Sequence, residues 1–117
     1  MTDPAAGLAA EDQKLVTLAK ATRARTGADE GAAVRDLDGR TYAAATVALP
    51  SLAVSALGVC VAMAVASGAK GLEAAVVLTD AGEVGESDLA ALRDIAGAGV
   101  PVHLGTPSGT VESSLMT

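Results

Sequence analysis

Few side chains in this sequence can carry chemistry. It holds one cysteine, Cys60, and one histidine, His103. A thiol becomes a nucleophile or ligand when a nearby cation lowers its pKa. Cys60 instead lies within the uncharged stretch Ser51-Leu-Ala-Val-Ser-Ala-Leu-Gly-Val-Cys60 and its continuation, which predicts a small core residue. His103 has the chemistry of a general base or metal ligand. Between Val102 and Leu104 on a short strand it points opposite to both neighbours, which predicts a structural or exposed role. Asp80, Glu83, Glu86 and Asp88 supply oxygen donors of the kind that hard cations take. Their spacing is not that of an EF-hand, so a solvated acidic loop is expected. Gly105-Thr-Pro-Ser-Gly-Thr110 follows a strand as phosphate loops do. It lacks the P-loop lysine, and no periodic helix follows, so it reads as a turn. Ser55 is a hydroxyl nucleophile only with a base beside it, and sequence predicts none.

The elements that must position these groups follow from periodicity. Leu8, Leu15, Leu18, Ala19 and Thr22 share one face of a helix expected over about 9–25, with Asp12, Lys14, Lys20 and Arg23 outside it. Its early acids and late bases match the helix dipole. Gly31–Asp36 and Arg40–Val47 flank Asp38-Gly39, a tight-turn dipeptide, and predict a β-hairpin. Pro50 suits the first turn of a helix that ends near Gly68. Gly71–Asp80 supplies a strand buried on both faces. Ser87 is expected to cap a helix with Leu89, Leu92, Ile95 and Ala96 inward. Val100–Gly105 is a further strand, and Val111–Met116 a short last strand or a frayed tail. The order α-β-β-α-β-α-β, with or without a final strand, predicts a three-layer α/β/α sandwich around a mixed sheet of four or five strands.

Composition narrows the function classes. At 117 residues the chain is expected to be a single domain over 1–117, with 1–8 and 112–117 flexible. Half of it is hydrophobic, yet Tyr42 is its one aromatic residue, so the core must be built from Ala, Val and Leu. A net charge of −6 without stacking aromatics argues against nucleic-acid binding. No charge occurs between Arg40 and Lys70. A strand and then Pro50 interrupt that run, and its helical part is mostly Ala, Gly, Ser and Val, which argues against a membrane span. The lone cysteine fits a reducing cytosol, and MTDPAAGLAAEDQK lacks the regions of a signal peptide. A cytoplasmic location is the expectation.

Three stretches carry a resemblance. Gly31-Ala-Ala-Val-Arg-Asp-Leu-Asp-Gly-Arg-Thr-Tyr42 resembles the opening hairpin of the cytidine deaminase family. Ala64-Val-Ala-Ser-Gly68 resembles the end of that family's zinc-bearing helix, and Gly71-Leu-Glu-Ala-Ala-Val-Val77 its third strand. The likeness runs from about Leu15 to Leu104. It implies the deaminase-like fold, a zinc cofactor and assembly as dimers or tetramers. The family places Cys-Ala-Glu or His-Ala-Glu at the start of one helix and Pro-Cys-x-x-Cys at the start of the next. This supplies three Cys/His ligands, an open position for water and a proton-shuttling glutamate. Here the first triplet falls on Ser55-Ala56-Leu57 or on Leu57-Gly58-Val59, and the second motif near Ser87–Ala91. The substrate motif Asn-x-Glu falls on Thr46-Val47-Ala48. None of these positions holds a Cys/His ligand or the glutamate.

The expectation is therefore a cytidine deaminase-like protein without deaminase activity or zinc, a homo-oligomeric scaffold or partner-binding module. The small residues of the central helix suit close contact, either between copies or within its own core. One alternative is a small-molecule, nucleoside-like binder whose remnant pocket contains Thr46, Ser55 and Asp88. Another is an enzyme of different chemistry that uses the acidic loop or His103.

Overall fold

The structure, a computed structural model, describes residues 7–117. Helix α1 (Ala10–Thr26) leads into the hairpin β1 (Gly31–Asp36) and β2 (Thr41–Ala45). A second hairpin, β3 (Val47–Leu49) and β4 (Leu52–Val54), precedes α2 (Ala56–Ala66). Then come β5 (Leu72–Leu78), α3 (Glu86–Ala96), β6 (Pro101–Gly105) and β7 (Val111–Met116). Five strands form one mixed sheet in the order β2-β1-β5-β6-β7. The β5–β6 pair is parallel, with α3 as its crossover, and the other pairs are antiparallel. This is the expected three-layer α/β/α sandwich with the larger of the two strand counts.

Alternation along the strands divides the core in two. Ala33, Ala74, Val76 and Leu78 face Leu15, Val16 and Ala19 of α1. Ala32, Val34, Ala75, Val77, Val102 and Leu104 face Leu57, Cys60 and Ala64 of α2 and Leu89 and Leu92 of α3. Side chains this small let the layers approach closely. At Gly31 a Cβ would collide with the Ala19 carbonyl oxygen and lie 2.7 Å from Arg23 Cβ, so glycine lets α1 settle onto β1. Between β1 and β2 the expected turn has Gly39 at φ +83°, open to glycine without strain. Asp36 braces that turn, its carboxylate accepting from Asp38 N, Arg40 N and Tyr42 Oη.

Three expectations need correction. Pro50 does not open the central helix. It sits with Ser51 in the two-residue turn between Leu49 and Leu52, where a missing N–H costs no ladder bond. Helix α2 is accordingly 11 residues long. Helix α3 is entered through Gly85 rather than capped by Ser87. Asp12 faces the sheet and is buried, because charged partners wait for it there. Of the two readings expected for Val111–Met116, the structure shows the strand, paired with β6 at the sheet's edge. The expected flexible segment at 1–8 lies mostly outside the described residues. Leu8 is described, and it packs against the α1-side core.

Candidate functional site

An open cleft of about 610 Å³ lies beyond the C-terminal end of β5. This is where ligands sit in open α/β sheets, because loops and helix N-termini converge there. Its walls come from Asp29 and Glu30 before β1, Thr46–Ala48, Ala53–Ser55, and Thr79 and Asp80 after β5. Glu30 is the best-held charge. Its carboxylate accepts from Thr79 Oγ1 at 2.7 Å, and its N–H donates to Thr46 Oγ1 at 3.0 Å. Arg23 is the one cation among the lining residues, and its Nε donates to the Ala28 carbonyl. Three carboxylates against one guanidinium give the cleft a negative field.

The two helix N-termini meet beside this cleft. Ser55 caps α2, its Oγ accepting from Gly58 N at 3.0 Å. The same hydroxyl donates to Asp88 Oδ1 at 2.6 Å, and Asp88 lies in the first turn of α3, where a carboxylate complements the helix dipole. The cap fixes the start of α2, so Ser55-Ala56-Leu57 occupies its first turn, with Ala56 and Leu57 fully buried. Of the three site residues expected from sequence, Thr46 and Ser55 line the cleft. Asp88 touches Ser55 without lining it.

Glu30, Thr79 and Arg23 were not singled out by sequence. The available signal was the end of an apolar strand at Thr79-Asp80, since such ends border sites in this fold class. The acidic residues of the 80–88 loop do not converge. Asp80 lines the cleft, Asp88 bonds Ser55, and Glu83 and Glu86 are exposed. Among the described residues, no three of His, Cys, Asp or Glu group to hold a metal ion.

Cys60 lies inside α2, fully buried, its thiol directed at the Tyr42 carbonyl oxygen 3.5 Å away. Burial pushes that thiol up to about 12, which keeps it protonated and unreactive. His103 lies on the other face of the sheet, under α1. Its Nε2 is 2.8 Å from Asp12 Oδ2 and its Nδ1 2.6 Å from Ser114 Oγ. Arg35 NH1 lies 3.0 Å from Asp12 Oδ1, close enough for an ion pair but not aligned as a hydrogen bond. The ring is buried, so His103 does not take the exposed position that the sequence allowed.

The fold is an α/β/α sandwich around a mixed five-stranded sheet. The family model described as cytidine deaminase-like matches residues 8–109, and the chain belongs to that family. Among solved structures it is similar to a cytidine deaminase from Mycobacterium leprae, with 23% identity and a TM-score of 0.69 over 90% of this chain and 93% of that one. It is also similar to a cytidine deaminase from Burkholderia pseudomallei, with 21% identity and a TM-score of 0.74 over 89% of each chain. A mutant cytidine deaminase from Mycobacterium tuberculosis matches at 22% identity and a TM-score of 0.65, over 76% of this chain and 81% of that one. No curated protein matches the chain.

The zinc that the family implies does not fit the residues present. Where the two helix N-termini meet, the Ser55 hydroxyl and the Asp88 carboxylate are already bonded to each other, and Glu86 and Ser87 are exposed. The single cysteine is sealed in the core, and the single histidine is committed on the opposite face. Zinc with an open position for water takes three protein ligands, typically His, Cys or carboxylate.

Proposed function

We propose that this chain is a cytidine deaminase-like protein without deaminase chemistry that acts as a homo-oligomeric or partner-binding module. The observation that carries the reading is the Ser55–Asp88 hydrogen bond. It ties together the two helix starts that resemble the family's ligand positions, and it gives them a purely cohesive role. Leu57 and Val59 are the two positions where the family's triplet would end in glutamate, and neither aliphatic side chain moves protons.

The assembly part of the proposal rests on surface character. Helix α2 carries no charge, yet Ala62, Val65 and Ala66 are exposed, Val65 by 56%. Leu49 and Leu52 stand out on the β3–β4 hairpin. Exposed apolar groups on an uncharged helix suit a protein surface, and a dimer or tetramer through α2 would cover Ala62, Val65 and Ala66. Among the described residues, no helix is long and apolar enough to cross a membrane. Neither the negative charge nor the composition favours a nucleic-acid partner. A reducing cytosol is the compartment that the lone thiol suits.

The test pairs metal content with a cytidine-to-uridine assay on one sample, alongside its sedimentation mass. The reading expects neither zinc nor turnover, and a mass above that of one chain. Stoichiometric zinc with turnover refutes it.

A second reading, a small-molecule binder, is favoured by the cleft itself, which keeps Thr46 and Ser55 on its wall. Calorimetric titration with cytidine and with uridine tests it. Saturable binding that Thr46→Val weakens supports a remodelled pocket, and flat titrations count against it.

A further inference from the structure

The groups on the α1 side of the sheet have an arrangement that cohesion alone does not require. Ser114, His103 and Asp12 come from β7, β6 and α1, and their side chains form a continuous chain of contacts of 2.6 and 2.8 Å. An ionised Asp12 only accepts, so a neutral His103 carries its proton on Nε2 and offers the Nδ1 lone pair to the Ser114 hydroxyl. Asp12 and His103 are buried while Ser114 is exposed, which leaves the base and its orienting carboxylate shielded and the hydroxyl open to a reactant. Arg35 faces Asp12 from β1, with Glu73 3.7 Å from its own Nε, so the carboxylate is fixed on its second oxygen as well.

The strand ladder adds a second observation. Thr117 N donates to Val100 O, and the pairing continues through Val102↔Leu115 to His103↔Ser114. Antiparallel pairs alternate between hydrogen-bonded and non-bonded types, so counting from Val100 makes His103–Ser114 a non-bonded pair. Pairs of that type bring their side chains closest together. They also turn the backbone N–H away from the neighbouring strand, and β7 is the sheet's edge. Ser114 N–H therefore points outward beside its own hydroxyl, positioned as a donor to an oxyanion.

We propose that Ser114, His103 and Asp12 form an acyl-transfer site for carboxylic esters, at the β7 edge of the sheet beneath α1. Ser114 Oγ bonds to the acyl carbon while its proton passes to His103 Nδ1. The ester C–O bond breaks, and the alcohol leaves with that proton. Water then attacks the acyl-serine and gives a proton through Nδ1 to Ser114 Oγ, releasing the carboxylic acid. Asp12 stays ionised and holds the ring as its charge develops.

The experiment treats the full-length protein with a fluorophosphonate probe, maps the adduct by mass spectrometry, and follows p-nitrophenyl acetate hydrolysis. In the probe reaction Ser114 Oγ displaces fluoride from phosphorus. The site expects one adduct, on Ser114, lost entirely in Ser114→Ala, a surface change that leaves the fold intact. His103→Gln and Asp12→Asn are expected to slow both reactions by about 10²-fold or more while melting cooperatively. A cooperatively folded wild-type protein that stays unlabelled overturns the proposal. So does labelling that survives Ser114→Ala, or that is unchanged in a folded His103→Gln. These readouts are independent of zinc and cytidine turnover, so either conclusion can fall without the other.

Discussion

Ser55 Oγ lies 2.6 Å from Asp88 Oδ1, and this single bond joins the first turns of α2 and α3. The hydroxyl also accepts Gly58 N–H, so one atom both caps α2 and docks α3. Ser55→Ala removes the cap and strips Asp88 of a partner, and is expected to cost about 1–2 kcal/mol in urea unfolding. Asp88→Asn should cost less, because its amide oxygen still accepts. If the pair acts as a unit, the double variant is less destabilised than the sum of the singles. Strict additivity would show that the two residues stabilise the protein separately.

The outer face of α2 gives the assembly proposal a direct probe. Val65→Asp places a charge on an exposed position, so the isolated fold should change by no more than about 0.5 kcal/mol. Where two copies bury Val65, an unpaired charge there is costly, and the sedimentation mass is expected to fall to that of one chain. An unchanged mass would move the interface elsewhere, with the β3–β4 hairpin and Leu49→Asp next.

What the sequence disclosed, and what it hid, follows from the range over which each signal acts. The α1 periodicity, the Asp38-Gly39 turn and the apolar run of β5 are local, and each appears where its residues predict. The β3–β4 hairpin was hidden because Pro50 is equally at home in a first helical turn and in a hairpin turn. Charge normally marks a solvated face, so the sequence alone puts Asp12 outside. Its partners His103 and Arg35 arrive only when the sheet forms, His103 from 91 residues away. The cleft shows the same division. Thr46 and Ser55 were reachable through resemblance, whereas Glu30 and Thr79 meet across 49 residues with no motif to announce them.

Cys60 is expected to report global unfolding. Its thiol is buried, bonded to Tyr42 O and raised to about 12 by desolvation. Ellman's reagent should leave the native protein unmodified over hours and react within the unfolding transition, with a urea midpoint matching that from circular dichroism. Rapid reaction under native conditions would mean that α2 opens locally and that the core is not sealed there.

The hairpin turn should set part of the acid and alkaline stability. Burial by itself would raise the pKa of Asp36, but hydrogen bonds from Tyr42, Arg40 N and Asp38 N outweigh it and hold the carboxyl below its usual value. A lowered folded pKa gives stability that is present above the unfolded value of about 3.9 and is lost as pH falls through the folded value. Tyr42 is raised by its bond to Asp36, with burial and that neighbouring charge adding to the effect. Its contribution is present below the unfolded value of about 10 and is lost as pH rises through the folded one. Tyr42→Phe keeps the ring but removes the donor to Asp36 Oδ2, 2.8 Å away. Its deficit against wild type should be full near neutrality and shrink toward both extremes of pH, as urea midpoints across the range would record. A deficit independent of pH would show that Tyr42 stabilises the hairpin by packing alone.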